Sequence, residues 1–427
     1  MTSTSATDAN TSTSGHRDRV IALLFEQIDI AAAAAMESVD LRQELRPLIL
    51  RATADLGLTL SLSEQADLEE DVLNELTGLG PLEPLLADGS ISDILVNGPH
   101  NIYVERRGCL ERVGAQFRDE EHVMKVAQRI ANDVGRRIDA TTPLTDARLA
   151  DGSRVNIVAK PVSLRGPTIS IRKFADTALT LGSLVGRSCS PAMAETLRVA
   201  TAARFNILIS GGTGSGKTTL LNALSALIAK TERIVTIEDA AELQLQQPHV
   251  VTLETRPPSV EGTGRVTIAD LLINALRMRP DRIVLGEVRG GEAFELMQAM
   301  NTGHDGTLAT LHASSPREAL TRLEHMIVMR GANLPRVSLV RQIVESVDLV
   351  VQVKRYPDGT RRIAAIAEVV GMEGDTPTMQ VLHEYEAEEH DDGSVTGRFV
   401  TGGLVPALSR KARDHGLEAA YLAAARP

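Results

Sequence analysis

Residues 211–218 read GGTGSGKT. The β-branched run ILIS precedes them, and TTLLNALSALI follows, with Leu220, Leu221, Leu224, Leu227 and Ile228 on one helical face. Gly211, Gly216, Lys217 and Thr218 satisfy the pattern G-x-x-x-x-G-K-[ST]. A strand that passes into a helix through such a loop predicts a phosphate cradle. The glycines let successive N–H groups turn inward, and the helix N-terminus adds its partial positive charge. The candidate nucleotide-binding residues are Gly211, Gly212, Thr213, Gly214, Ser215, Gly216, Lys217, Thr218 and Thr219. Lys217 has the reach for β and γ phosphates, and the Thr218 hydroxyl suits Mg²⁺. A G-x-G-x-x-G dinucleotide site is disfavoured, because Lys217 stands in place of the third glycine. There is no N-K-x-D guanine signature, so ATP is the expected nucleotide.

A loop of this kind demands strands alternating with helices. From Pro191 the sequence supplies them: helices at 191–203, 217–229, 267–278 and 291–301, with strands at 207–209, 234–237, 250–253, 283–285, 307–311, 349–353 and 363–370. At 427 residues the chain is long enough for two or three domains. Residues 1–16 are Ser, Thr, Asn and Ala-rich and read as a disordered tail. Residues 17–78 read as a small helical module, with Ile21, Leu24, Phe25 and Ile28 at helical spacing and Ser63 as cap of its third helix. Residues 79–175 alternate short β runs with a helix at 119–138 and read as an α+β domain. Residues 176–190 read as a linker. The acidic stretch 384–393 reads as a solvated loop.

Composition narrows the function. The formal net charge is -11 and aromatics are 2%, which count against a nucleic-acid-stimulated RecA-like motor, the alternative reading. The two cysteines, Cys109 and Cys189, have no CxxC partner, which points to a reducing cytoplasm. No apolar run is long enough to span a bilayer, so any membrane role is expected to be peripheral.

Two apolar strands end in acids. IVTIEDAAEL carries Glu238, Asp239 and Glu242, and DRIVLGEVRGGE carries Glu287. Ligands of open α/β sheets bind at the carboxyl ends of strands. Acids there can hold Mg²⁺ or polarise an attacking water. Glu287 is the first choice for water and Glu238 its rival; the sequence alone leaves both open. NTGHDGTLATLHA adds His304 and His312.

These segments occur in order with LETRPPSVEGTG, ISDILVNGPHNIYVERRG and DARLADGSRVN. Together, over residues 65–420, they resemble the type II/type IV secretion ATPases, and among them the CpaF/TadA-type motors of Flp (tight adherence) pili. The resemblance implies a RecA-like P-loop NTPase C-terminal domain over 191–427, preceded by an α+β (PAS-like) N-terminal domain. It implies a homo-hexamer, ATP bound with Mg²⁺ between the domains, and hydrolysis that drives an inner-membrane platform protein of a pilus or secretion system. The location implied is cytoplasmic, at the inner face of the cytoplasmic membrane, with no direct contact to nucleic acid. By the same resemblance Glu238 and Asp239 join Thr218 at the metal, Glu287 is the Walker-B glutamate, and His312 approaches the γ-phosphate. Arg154 and Arg172, with Arg148 as a weaker candidate, would reach the γ-phosphate from the N-terminal domain.

Overall fold

The computed structural model describes all residues except 1–18, 22, 25–27, 29–35, 37, 107, 175–178, 257, 259–262, 332–333 and 427. The expected tail at 1–16 and Phe25 lie outside the described residues. Contacts divide the chain into two units, Met1–Asp176 and Thr177–Pro427.

The first unit contains helices α1 (Ser38–Asp55) and α2 (Leu62–Thr77), and Val20, Ile21 and Leu24 ahead of them are buried in the same cluster. Leu41, Leu45 and Ile49 of α1 pack with Leu68, Val72, Leu73 and Leu76 of α2. The cap of α2 is Ser61, not Ser63. Ser61 Oγ accepts from Glu64 N, and Glu64 Oε2 accepts from Ser61 N at 2.8 Å. A capping box needs an acid or amide three residues on; Ser61 has Glu64, whereas Ser63 has Ala66.

A short helix α3 (Glu83–Ala87) leads to β1 (Ile91–Asn97), β2 (Ile102–Arg106), β3 (Cys109–Arg112), helix α4 (Glu120–Asp133), β4 (Leu144–Arg148), β5 (Arg154–Val158) and β6 (Thr168–Arg172). The sheet runs β3-β2-β1-β6-β5-β4 with every neighbour antiparallel. Period-2 burial puts Val155, Ile157, Ile169 and Ile171 on one face, where Val123, Val126, Ala127 and Ile130 of α4 cover them. Asp119 caps α4 by accepting from His122 N at 2.8 Å.

In the second unit, the segment expected as a linker is built into the core. It holds α5 (Leu181–Leu184), and its Leu181 and Cys189 are buried with α6 (Pro191–Ala202). The order continues through β7 (Ile207–Gly211), α7 (Lys217–Ser225), β8 (Ile234–Glu238), β9 (Val250–Glu254), α8 (Ile268–Ala275), β10 (Arg282–Val288), α9 (Ala293–Asn301) and β11 (Leu308–Leu311). Then come α10 (Pro316–Met329), α11 (Arg336–Ser346), β12 (Leu349–Arg355), β13 (Arg361–Glu373), β14 (Thr376–Glu389), β15 (Val395–Thr401), α12 (Ser409–Asp414) and α13 (Glu418–Ala424).

Nine strands form one sheet in the order β15-β14-β13-β12-β7-β11-β10-β8-β9. The run from β12 to β9 is parallel, and β13, β14 and β15 add antiparallel. This is the RecA-like layered sheet. Helices cover both faces, so β7 is buried along its whole length: Leu208 points into one core, and Ile207 and Ile209 into the other. Residues 384–389, expected in a solvated loop, are strand. Glu384, Glu386, Glu388 and Glu389 pair along β15, and their charges sit on an edge hairpin where water still reaches them. Among the described residues, no helix is long and apolar enough to cross a membrane.

Arg282, at the start of β10, is 1% exposed. Its guanidinium donates to Glu232 Oε2 at 2.7 Å, to Thr201 O at 2.9 Å and to Gly306 O at 3.3 Å. Gly306 has φ +82°, and a Cβ there would lie 1.8 Å from Arg282 Nη1. Loss of Arg282 would leave Glu232 with Arg204 as its remaining partner, at 2.8 Å, and would take a donor from the Thr201 and Gly306 carbonyls in the same buried network. Arg282→Ala is therefore expected to cost ~3–5 kcal/mol, read as a lowered urea midpoint. A cost below about 1 kcal/mol, the range of an exposed pair, would refute a buried structural role.

Candidate functional site

The phosphate loop leaves β7 at its carboxyl end and closes on the N-terminus of α7. Gly214 and Gly216 adopt φ +68° and +98°, a region that costs glycine nothing. Gly211 needs its missing side chain for another reason. A Cβ there would meet Val353 O at 2.4 Å and Ser215 Oγ at 2.6 Å. Lys217, 8% exposed, turns its ammonium onto the loop, donating to Gly211 O at 3.0 Å and Gly212 O at 2.9 Å.

The parallel strands β11, β10 and β8 bring five more side chains to the same edge. β11 ends before His312, whose Nε2 lies 2.7 Å from Glu287 Oε1 and 3.5 Å from Lys217 Nζ. The approach to Glu287 is a charge contact without hydrogen-bond geometry: Glu287 Oε1 has no hydrogen-bond partner among the described residues, and Lys217 Nζ faces the same ring nitrogen. Glu287, near the end of β10, also accepts from Arg289 Nη2 at 2.6 Å and Nε at 2.8 Å. Arg289 reaches across to Asp239 Oδ2 at 3.3 Å. Glu238 is 3% exposed at the end of β8, and its Oε1 accepts from Glu242 N at 2.8 Å and Leu243 N at 3.0 Å. It lies against Gly286, where a Cβ would come within 2.9 Å of Glu238 Cγ.

Lys217, Glu287 and His312 thus converge, with Glu238 and Asp239 one strand further out. His304 does not join them. It precedes β11, at the opposite end from His312, and its carbonyl accepts from Thr307 Oγ1 at 2.8 Å. In the first unit, Arg154 pairs in register with both Arg148 and Arg172, so the three form a cross-strand row at one end of β4, β5 and β6. Arg172 Nε also donates to Asp93 Oδ1 at 3.2 Å.

Sequence reasoning missed Arg289, although it sits two residues past Glu287, and it missed Arg361. Arg361 Nε donates to Gly214 O at 2.8 Å from 147 residues away in the chain, and no local pattern signals that contact. Gln352 was also invisible. Buried in β12, it accepts from Ser210 Oγ on β7 and donates to Ala313 O at 3.1 Å, tying the strand under the loop to the segment that carries His312.

Burial pushes the Lys217 ammonium below its ordinary range; the Glu287 carboxylate opposes this and Arg289 adds to it. Burial, and then the Lys217 charge, hold the His312 imidazole below 6.5, against the pull of Glu287. The shift at His312 favours a neutral imidazole at neutral pH.

The family model for Type II/IV secretion system proteins matches residues 75–383. A protein of Mycobacterium tuberculosis assigned to conjugal transfer is 40% identical over 316 residues, covering 72% of this chain and 89% of that protein. The type IV secretion system protein PtlH homolog of Bordetella bronchiseptica is 39% identical, over 66% of this chain and 91% of its own length. Among solved structures, the VirB11 ATPase of the Brucella suis type IV secretion system is 32% identical, covering 67% of this chain and 95% of that one, with a TM-score of 0.37.

The opposed influences on His312 can be separated. An NMR titration of the ring is expected to show a midpoint below 6.5. Lys217→Ala, which removes a neighbouring positive charge, should move the midpoint up. Glu287→Gln, which removes the neighbouring negative charge, should move it down. Equal midpoints in all three proteins would mean that His312 does not share an electrostatic site with either residue.

Proposed function

We propose that this chain, which belongs to the Type II/IV secretion system protein family and is an ATPase of it, is the hexameric motor of a type IV (Flp/Tad) pilus or a related secretion machine. The observation that carries the reading is the meeting of Lys217, His312 and Glu287 at a glycine-rich loop that opens a helix. The relatives' assignment to conjugal transfer and type IV secretion supports the transport side of it.

The chemistry follows from the side chains. The loop N–H groups and Lys217 hold the β and γ phosphates of ATP. Glu287 accepts a hydrogen bond from water and aims its oxygen at the γ-phosphorus. The new P–O bond forms as the bond to the β–γ bridging oxygen breaks. The water proton passes to Glu287, and ADP and phosphate leave. Arg289 holds Glu287 through two hydrogen bonds to Oε2, and Oε1, close to the His312 ring and without a hydrogen bond of its own, is the oxygen left for water. The Thr218 hydroxyl, the buried carboxylate of Glu238 and the Asp239 carboxylate are the hard oxygen donors that suit Mg²⁺. The ion would neutralise charge on the phosphate oxygens. The arginine row of Arg148, Arg154 and Arg172 offers forked donors for a γ-phosphate, and closure of the first unit on the nucleotide would deliver them. Round a ring, repeated closure and opening would move an inner-membrane platform protein from its cytoplasmic side.

The test is ATP turnover by the purified chain. Lys217→Ala is expected to abolish measurable hydrolysis and weaken ADP binding. Glu287→Gln should keep ADP binding and lower kcat by ~10²–10⁴-fold. Arg154→Ala should lower kcat by about 10³-fold if it stabilises transition-state charge. Wild-type hydrolysis that survives unchanged in Lys217→Ala would sink the reading. Light scattering that finds a single-subunit mass with ATP and Mg²⁺ present would remove the ring from it.

A further inference from the structure

The hairpin of β12 and β13 approaches the phosphate loop from the side opposite the acids. In the sheet, β7 lies between β11, which leads to His312, and β12. Val353 of β12 pairs with Gly211, and β12 then runs past the loop to Arg355, which faces Arg361 in register across the hairpin. Arg361 Nε donates to Gly214 O at 2.8 Å. Arg355 Nη1 stands 3.6 Å from where a Gly214 Cβ would be, and Arg361 Cδ stands 3.6 Å from where a Gly216 Cβ would be. The two arginines therefore cover the two left-handed glycines of the loop.

The hairpin that carries them is braced. Asp358 Oδ1 accepts from Thr360 N at 2.9 Å and from Thr360 Oγ1 at 2.7 Å, closing the turn. Tyr356 meets Tyr385 edge-on at 5.6 Å, Tyr385 leans on Phe399 at 4.8 Å, and the Arg362 guanidinium lies 4.6 Å over the Tyr385 ring.

A peptide of the loop can offer its N–H to phosphate only if its own carbonyl is turned the other way. Glycine is the residue least able to enforce this, because it adopts either sense of peptide plane without steric penalty. The bond from Arg361 holds the Gly214 carbonyl outward. The same peptide plane turns Ser215 N–H into the loop, where it makes only a long 3.4 Å bond to Gly212 O. We propose that Arg361 is a positioning residue that locks the Gly214–Ser215 peptide in its phosphate-binding sense, so that a hairpin distant in sequence sets nucleotide affinity. The inference rests on the reading of 211–219 as a nucleotide loop.

The experiment measures ADP binding by calorimetry, ATP turnover, and melting of the nucleotide-free protein, for wild type, Arg361→Ala and Arg361→Lys. Loss of one charge-assisted bond should raise the ADP Kd by ~10-fold in Arg361→Ala. The KM for ATP should rise by the same factor, because the locked peptide serves phosphates common to both nucleotides. Melting should match wild type. Arg361→Lys keeps one charged donor and should recover most of the ADP affinity. An unchanged ADP Kd in Arg361→Ala overturns the proposal. So does a fall in melting temperature that lysine fails to restore, which would make Arg361 a fold residue. A wild-type chain that binds no ADP is a separate outcome, and it overturns the nucleotide reading itself.

Discussion

The second unit depends on one constraint, the burial of β7 between parallel neighbours. A strand hydrogen-bonded on both edges and covered on both faces has no freedom to shift, so the loop at its end inherits a fixed origin. Gly211 shows how tight this is, because β12 places a carbonyl oxygen where any side chain would begin. Each strand that locks β7 also ends at the loop or leads into a residue that serves it. β11 leads to His312, β12 leads to Arg355, and one strand beyond β11, β10 presents Glu287. The site is therefore an outcome of strand order, with residues far apart in sequence brought to one edge.

The electrostatics follow the same logic. Lys217 is buried and spends its donors on the loop's own carbonyls. Glu287 is gripped by two hydrogen bonds from Arg289 to one oxygen, and its other oxygen lies against the His312 ring, so the carboxylate has one direction rather than many. A carboxylate held this way loses little orientational freedom when a water must be aimed. Glu238 is held differently, by the two backbone donors that follow it in the chain. That difference separates two acids which look alike in sequence, and it favours Glu287 as the residue next to the loop's lysine and histidine.

Much of this was legible in the residues. The motif at 211–218 and the apolar runs ending in acids fall where the parallel strands end, because buried strands carry a plain apolar signal. Other elements were lost for physical reasons. The stretch at 384–389 is dense in carboxylates, and only its pairing with β15 makes it a strand. Helices α10 and α11 carry core residues such as Leu320, Leu323, Ile327, Leu339 and Ile343 at helical spacing, but they fall in 314–348, a segment to which the sequence reading assigned no element. Arg282 sits inside a motif rich in functional residues, yet its burial makes it a structural cation. Arg361 had no signal at all, because its meaning is a hydrogen bond to a glycine carbonyl in a loop 147 residues away.

The aromatic cluster beneath the hairpin has an optical consequence. The chain contains no tryptophan and only four tyrosines. Two of them, Tyr356 and Tyr385, touch each other under the turn that carries Arg361. Tyr385 receives a hydrogen bond from Arg362, and Lys354 stands 4.7 Å over the Tyr356 ring. Half of the tyrosines thus sit at or against one hairpin, with no indole to mask their emission. Any displacement of that hairpin alters the surroundings of half the fluorophores at once, so the unlabelled chain carries its own reporter beside the phosphate loop.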